Sequence, residues 1–228
     1  MTIALILGHS FCKWLERHLR LGSDHRLVPS FNITECCKVH MKGVGGRTID
    51  KLMLHDMHDV HAKSPDIVIL MIGDNDVNAD TSPEAIAHKM VVLATFLHGK
   101  YKVSHIVLCQ LMPRFSEKLR NAGIEGIFNQ SKEISDIVRA EVAAYDYITP
   151  QVRKKFRCDG INLSPKGQWH HYKSIRGALL SASYKLQHER ATTTQTRCGT
   201  EFSFFLLLFS IARFICVWGY LLRALICA

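Results

Sequence analysis

Four short segments of this chain carry the residue types that acyl transfer by serine uses. Such chemistry needs a nucleophile, a base that accepts its proton, and donors directed at the developing oxyanion. The segments contain a serine, a glycine, an asparagine and an aspartate in that order. They read Gly8-His9-Ser10, Gly43-Val44-Gly45-Gly46, Gly73-Asp74-Asn75-Asp76 and Asp159-Gly160-Ile161-Asn162-Leu163-Ser164.

Each of these residues also has an ordinary structural interpretation when it is taken alone. Ser10 stands at a helix start, where serine is a common N-cap. Gly46 and Asn75 are typical turn residues. Asp159 could orient a base, or it could cap the segment that follows. The order and spacing of all four therefore carry more information than any one of them.

Strand-like runs precede the segments and would position them. The clearest apolar run is Asp66–Ile72, and Ile3–Leu7 is the first. The other predicted strands are Cys36–Met41, Ile106–Cys109 and Tyr145–Ile148. Helical patterns alternate with these runs over Phe11–Leu21, Thr48–His61, Ser82–His98, Gly126–Ala144 and Ser164–Leu186.

This alternation predicts parallel βαβ units in an α/β fold, a three-layer α/β/α sandwich with a flavodoxin-like sheet. Each motif then falls at the carboxyl end of a strand, where open parallel sheets form their sites. In the helix over Thr48–His61, we expect Leu52, Leu54 and Met57 on the apolar side.

The four segments together resemble the four sequence blocks of the SGNH (GDSL-like) hydrolases, over roughly residues 2–185. The resemblance implies that Ser10 is the nucleophile and first oxyanion donor, and that Gly46 and Asn75 are the other two donors. Asp159 would be the acid of the triad. It implies ester hydrolysis of a small acyl ester without a metal or other cofactor, and it specifies neither the acyl group nor the alcohol.

Two positions depart from the family pattern. Asn162 stands where the family has its catalytic histidine, and a neutral amide cannot accept the serine proton. His9 replaces the usual aspartate before the serine, and we expect its ring to point away from Ser10 Oγ. Two functions therefore remain open, a serine esterase and an inactive pseudo-enzyme that serves as a binding module. A degraded copy without function is a third, weaker alternative.

Other histidines are weaker candidates for a replacement base or a metal site. His170 and His171 follow Asn162 in a helix, and with Tyr172 we interpret them as solvated residues. His55, His58 and His61 are spaced by three residues, which can gather metal ligands on a helix. Nothing else supports a metal there, so a solvated helix face is the better interpretation.

The C-terminal part of the chain differs from the rest. We predict an SGNH-like domain over 1–186, a polar linker over 187–201, a transmembrane helix over 202–222 and a tail over 223–228. The apolar stretch has the roughly 20 residues that span a bilayer. Lys185, Arg190 and Arg197 on its domain side predict a cytosolic domain. The alternatives are a tail without function and a sequence artefact.

Composition excludes some other classes of protein. The net charge of +9 is spread along the chain, so we expect no specific nucleic-acid binding. The eight cysteines form no Cys-x-x-Cys pair. This usage is typical of a reducing compartment in which thiols serve as small hydrophobic groups.

Overall fold

The computed structural model describes residues 1–22, 25–78, 80–111, 132–138, 146–148 and 163–192. The chain divides into two compact units, Met1–Tyr184 and Lys185–Ala228. Of the second unit, only residues 185–192 are described.

A five-stranded parallel sheet forms the centre of the first unit. Its strands are β1 (Thr2–Gly8), β2 (Cys37–Gly43), β3 (Ile67–Met71), β4 (His105–Cys109) and β5 (Asp146–Ile148). Their order in the sheet is β2-β1-β3-β4-β5, and every neighbouring pair is parallel. This is the flavodoxin-like α/β arrangement that the alternating pattern predicts.

In the described part of the chain, five helices lie between the strands and cover both faces of the sheet, and a sixth follows the last strand. They are α1 (Ser10–Leu21), α2 (Ile49–His55), α3 (Met57–Lys63), α4 (Pro83–Tyr101), α5 (132–138) and α6 (165–192). In the sheet, β2 lies on one side of β1, and β3, β4 and β5 lie on the other side. Because crossovers between parallel strands are right-handed, α1, which precedes β2, packs on the opposite face of the sheet from α2, α3, α4 and α5. The main buried cluster is consistent with this arrangement. It contains residues of α2, α3, α4 and α5 together with Leu5, Leu7, Val68 and Leu70 of the sheet.

Local sequence signals explain where the helices begin and end. Ser82 Oγ accepts a hydrogen bond from Ala85 N at 3.3 Å, and Pro83 occupies the first helical position of α4. Thr48 caps α2 in the same way. Gly22 ends α1 in the left-handed conformation, with φ of 60°.

The single helix predicted over Thr48–His61 is wrong, because the chain breaks at Asp56 into α2 and α3. The Asp56 carboxylate turns inward and is 3% exposed. Leu52 and Met57 are buried as expected, whereas Leu54 is 76% exposed. Leu52 and Leu54 are two residues apart in α2, and such residues do not share a face of a helix.

The prediction that the two histidines at the start of α6 are solvated is wrong for His171. His171 and Tyr172 are buried, whereas His170 is partly exposed. The segment around Phe31 covers Tyr172, because the Phe31 ring stacks on the Tyr172 ring at 4.7 Å. Arg176 Nε donates to Phe31 O at 2.9 Å and fixes that segment.

The predicted transmembrane helix over 202–222 lies outside the described residues. Within the ranges that are described, no helix is both long and apolar enough to cross a membrane.

Candidate active site

Three of the four segments meet because three neighbouring strands end at the same level. Gly8, the last residue of β1, is in register with Gly43 of β2 and with Met71 of β3. The loops after these strands carry Ser10, Gly46 and Asn75, respectively. The prediction that the motifs follow the carboxyl ends of strands is therefore confirmed for these three.

Ser10 is the first residue of α1, directly after β1. His9 N donates to Met71 O at 3.0 Å, and Lys13 N donates to His9 O at 3.1 Å, so the turn is held from both sides. The first N–H groups of a helix have no partner within the helix and carry its positive dipole end. Such a position suits a nucleophile that must develop and share negative charge.

Two glycines at the ends of β1 and β2 allow close contacts, Gly43 with α1 and Gly8 with β3. A Cβ atom on Gly43 would lie 2.0 Å from Lys13 N of α1. A Cβ atom on Gly8 would lie 2.4 Å from Met71 O. A larger residue at position 43 would push α1, and Ser10 with it, away from its present place.

The second loop is a glycine turn tied to its surroundings. Val44 N donates to Gly8 O at 3.0 Å, and Gly46 has φ of +68°, which favours glycine. Arg47 forms an ion pair with the Asp56 carboxylate. Its Nη2 donates a hydrogen bond to Asp56 Oδ1 at 2.9 Å, and its Nε lies 2.8 Å from Asp56 Oδ2. This pairing fixes the turn that contains Gly46.

Lys42 is a second cation beside the Asp56 carboxylate. Lys42 Nζ lies 3.4 Å from Asp56 Oδ1 and also donates to Asp59. The bond to Asp59 is the main reason that the pKa of Lys42 is raised. The break between α2 and α3 thus serves to place one carboxylate between two cations.

The third loop is bound to the second through side chains. Asn75 Nδ2 donates to Arg47 O at 2.9 Å, which fixes the orientation of the amide. Both carboxylate oxygens of Asp76 accept from Ile49 N, at 3.2 and 3.1 Å. Burial raises the pKa of Asp76 to about 6, against the opposing effect of the Ile49 hydrogen bond.

The position of His9 corrects the expectation from the sequence. Its Nδ1 lies 3.4 Å from Ser10 Oγ, so the ring does not point away from the serine. Its Nε2 lies 2.8 Å from Asp74 Oδ2. Both His9 and Asp74 are buried, at 1% and 5% exposure. The side chain stays on the inner side because Nδ1 also caps α1, accepting from Phe11 N at 3.5 Å.

The structure brings together the loops of Ser10, Gly46 and Asn75, while the proposed triad residues Asp159 and Asn162 lie outside the described residues. Sequence reasoning missed the His9–Asp74 pair. The signal was a histidine directly before the serine together with an extra carboxylate in the third loop.

Other candidate groups do not form a second site in the described part of the chain. His55, His58 and His61 are exposed, as the interpretation of a solvated face predicts. No cluster of three metal-ligating side chains occurs among the described residues. Burial raises the pKa of the Cys12 and Cys109 thiols, which suits their use as small core residues.

Solved structures with this fold include several hydrolases. A GDSL-like lipase from Bacteroides thetaiotaomicron superposes with a TM-score of 0.64 at 17% identity, covering 79% of this chain and 89% of its own. A carbohydrate acetylesterase from Sinorhizobium meliloti gives 0.60 at 17% identity, covering 79% and 99%. An acetyl xylan esterase gives 0.58 at 18% identity, covering 77% and 98%.

At these identities the superpositions show a shared fold. No curated protein sequence matches the chain significantly. The family model of the GDSL-like lipase/acylhydrolase family matches residues 7–171, which include all four segments. By this match, together with the sheet order and the loops at its carboxyl edge, the chain belongs to the GDSL-like lipase/acylhydrolase family.

Proposed function

We propose that this protein hydrolyses small acyl esters, with Ser10 as the nucleophile. The observation that carries the proposal is the common level at which β1, β2 and β3 end, because it gathers the loops of Ser10, Gly46 and Asn75. Family membership supplies the reaction class, and the gathered loops supply the residues.

The proposed reaction begins with attack of Ser10 Oγ on the ester carbonyl. The negative charge that develops on the carbonyl oxygen is stabilised by the backbone N–H groups of Ser10 and Gly46 and by the Asn75 amide. Removing one such donor from a serine hydrolase lowers kcat by about 10²–10³. The fixed Arg47 turn and the fixed Asn75 amide support this assignment, because preorganised donors need no rearrangement during the reaction.

An acetyl ester is the first substrate to test. Two of the structural neighbours are an acetyl xylan esterase and a carbohydrate acetylesterase. A small acyl group is therefore our proposal for the carboxylic side of the ester. We make no assignment for the alcohol.

One residue favours a second candidate function, a binding module without turnover. Asn162 occupies the family position of the catalytic histidine, with Asp159 three residues before it. A protein that kept the ester-binding loops and lost its base would bind an acyl ester and release it unchanged.

Hydrolysis of p-nitrophenyl acetate by the full chain, by Ser10→Ala and by Asn162→His separates the two functions. We expect turnover in the wild type that Ser10→Ala abolishes. If the wild type only equals Ser10→Ala while Asn162→His gains turnover that needs Ser10, the esterase proposal is wrong and the binding module is correct.

A further inference from the structure

We propose that His9 is the general base of this site and that Asp74 positions it. The proposal rests on the esterase function above and supplies the proton acceptor that Asn162 cannot provide. It stands on the row of atoms formed by Ser10 Oγ, the His9 ring and Asp74 Oδ2.

The distances along this row fit the roles. Ser10 Oγ lies 3.4 Å from His9 Nδ1, and His9 Nε2 lies 2.8 Å from Asp74 Oδ2. A nucleophile within reach of a base that a third group orients is the general form of a catalytic triad. The longer bond to the serine is common before substrate binds, since catalytic hydrogen bonds tighten in the complex.

Two contacts fix which ring nitrogen carries the proton. A carboxylate only accepts hydrogen bonds, so the bond to Asp74 requires a proton on Nε2. Phe11 N donates to Nδ1 at 3.5 Å, which requires a lone pair on that atom. Nδ1 therefore carries the one lone pair of the ring, and Ser10 Oγ, at 3.4 Å, takes this lone pair in place of Phe11 N when its proton moves.

The environment favours such a pair. The His9 side chain is 2% exposed and that of Asp74 is 6% exposed, so water competes little for their bond. The Asp74 carboxylate contacts the ring directly. It takes the place of the acid that orients the histidine in a Ser-His-Asp triad.

The proton and electron pairs balance over two half-reactions. The Ser10 proton moves to His9 Nδ1 while Oγ bonds to the acyl carbon, and the alcohol then leaves with that proton. Water next attacks the acyl group and gives a proton to Nδ1. The acid departs as the Ser10 oxygen recovers this proton, so one ester and one water yield one acid and one alcohol.

The main structural alternative is that His9 only caps α1 and joins the first loop to the third. The test variant is therefore His9→Asn, because asparagine is a good N-cap and lacks a basic nitrogen. His55→Asn, on the exposed face of α2, is the matched control. Each full-length variant is checked by thermal unfolding.

The first readout is covalent labelling of Ser10 by a fluorophosphonate probe, which needs an activated serine but no particular substrate. The second is hydrolysis of p-nitrophenyl acetate. We expect His9→Asn to lower both rates by about 100-fold or more, the usual contribution of a general base. His55→Asn keeps the wild-type rates.

A second-site variant separates a lost base from a lost structure. His9→Asn combined with Asn162→His places a histidine at the family position, and we expect it to regain labelling that depends on Ser10. If the double variant stays as inactive as His9→Asn, His9 acts as a cap only and the proposal is wrong.

The two proposals fail in different ways. If His9→Asn labels at the wild-type rate and Ser10→Ala does not label, the esterase function stands and the role of His9 is wrong. If the wild type shows neither labelling nor hydrolysis that depends on Ser10, both proposals are wrong.

Discussion

At the scale of single residues, the sequence predicted which loops meet at the edge of the sheet better than the direction of a side chain within them. Ser10, Gly46 and Asn75 lie on loops that the sheet brings together. The inward turn of His9 depends on Asp74, which is 65 residues away. A long-range partner of this kind leaves no periodic pattern in the sequence.

Asp76 gives a prediction about stability at this scale. Burial raises its pKa from 3.8 in the unfolded chain to about 6. The fold therefore prefers the protonated acid, and its ionisation costs stability as the pH rises from about 4 to 6. The difference between these two pKa values corresponds to about 3 kcal/mol of lost stability above that window.

We expect Asp76→Asn to raise the free energy of unfolding at pH 7.5 by up to about 3 kcal/mol and to change it little at pH 4. Asparagine can still accept from Ile49 N but carries no charge. Urea denaturation at both pH values measures the difference. Asp80→Asn, at an exposed position of the same loop, is the control. An equal effect of Asp76→Asn at the two pH values would contradict the explanation.

At the scale of elements, most of the fold could be predicted because buried parallel strands are short apolar runs. The predicted run Asp66–Ile72 became β3 (Ile67–Met71), and Cys36–Met41 became β2 (Cys37–Gly43). Errors came where tertiary contacts override local pattern. Asp56 lies at the break between α2 and α3, where its carboxylate forms an ion pair with Arg47.

The burial of Tyr172 is a second case of this kind. The helical pattern shows a polar surface at this position, yet Phe31 stacks on its ring from a segment more than a hundred residues earlier. Neither residue has a local sequence signal for the other. The resulting aromatic contact explains why the start of α6 is less exposed than its composition indicates.

The close approach of α1 to β2 is testable with a pair of glycines. Gly43→Ala would place a Cβ 2.0 Å from Lys13 N, a backbone atom that cannot move without the helix. We expect it to lower the free energy of unfolding by about 1–3 kcal/mol, the usual cost of overpacking. It should also lower hydrolysis, because α1 carries Ser10.

Gly45→Ala is the matched control, since nothing lies within 4 Å of its Cβ position. We expect its effect on unfolding to stay within about 0.5 kcal/mol. Urea denaturation of both variants gives the comparison. Equal stability of the two would show that the packing of α1 on Gly43 does not constrain the fold.

At the scale of the whole molecule, the remaining question is where the hydrolase domain resides. The stretch 202–222 contains thirteen Leu, Ile, Phe and Val residues and one charge, Arg213. Each apolar residue contributes about 0.3–0.6 kcal/mol to insertion, against roughly 2.5–3.5 kcal/mol for a central arginine. The sum favours insertion, and the flanking Lys185, Arg190 and Arg197 favour a cytosolic domain.

We therefore propose that the full chain is anchored in a membrane by its C-terminal segment. Alkaline carbonate extraction measures this, because it removes peripheral proteins and leaves inserted ones. We expect the full chain to stay in the pellet, whereas a variant with Leu207→Arg and Ile211→Arg is extracted, since three charges outweigh the apolar gain. If the unaltered chain is extracted as readily as this variant, the segment does not insert, and the ester substrate need not be sought at a membrane surface.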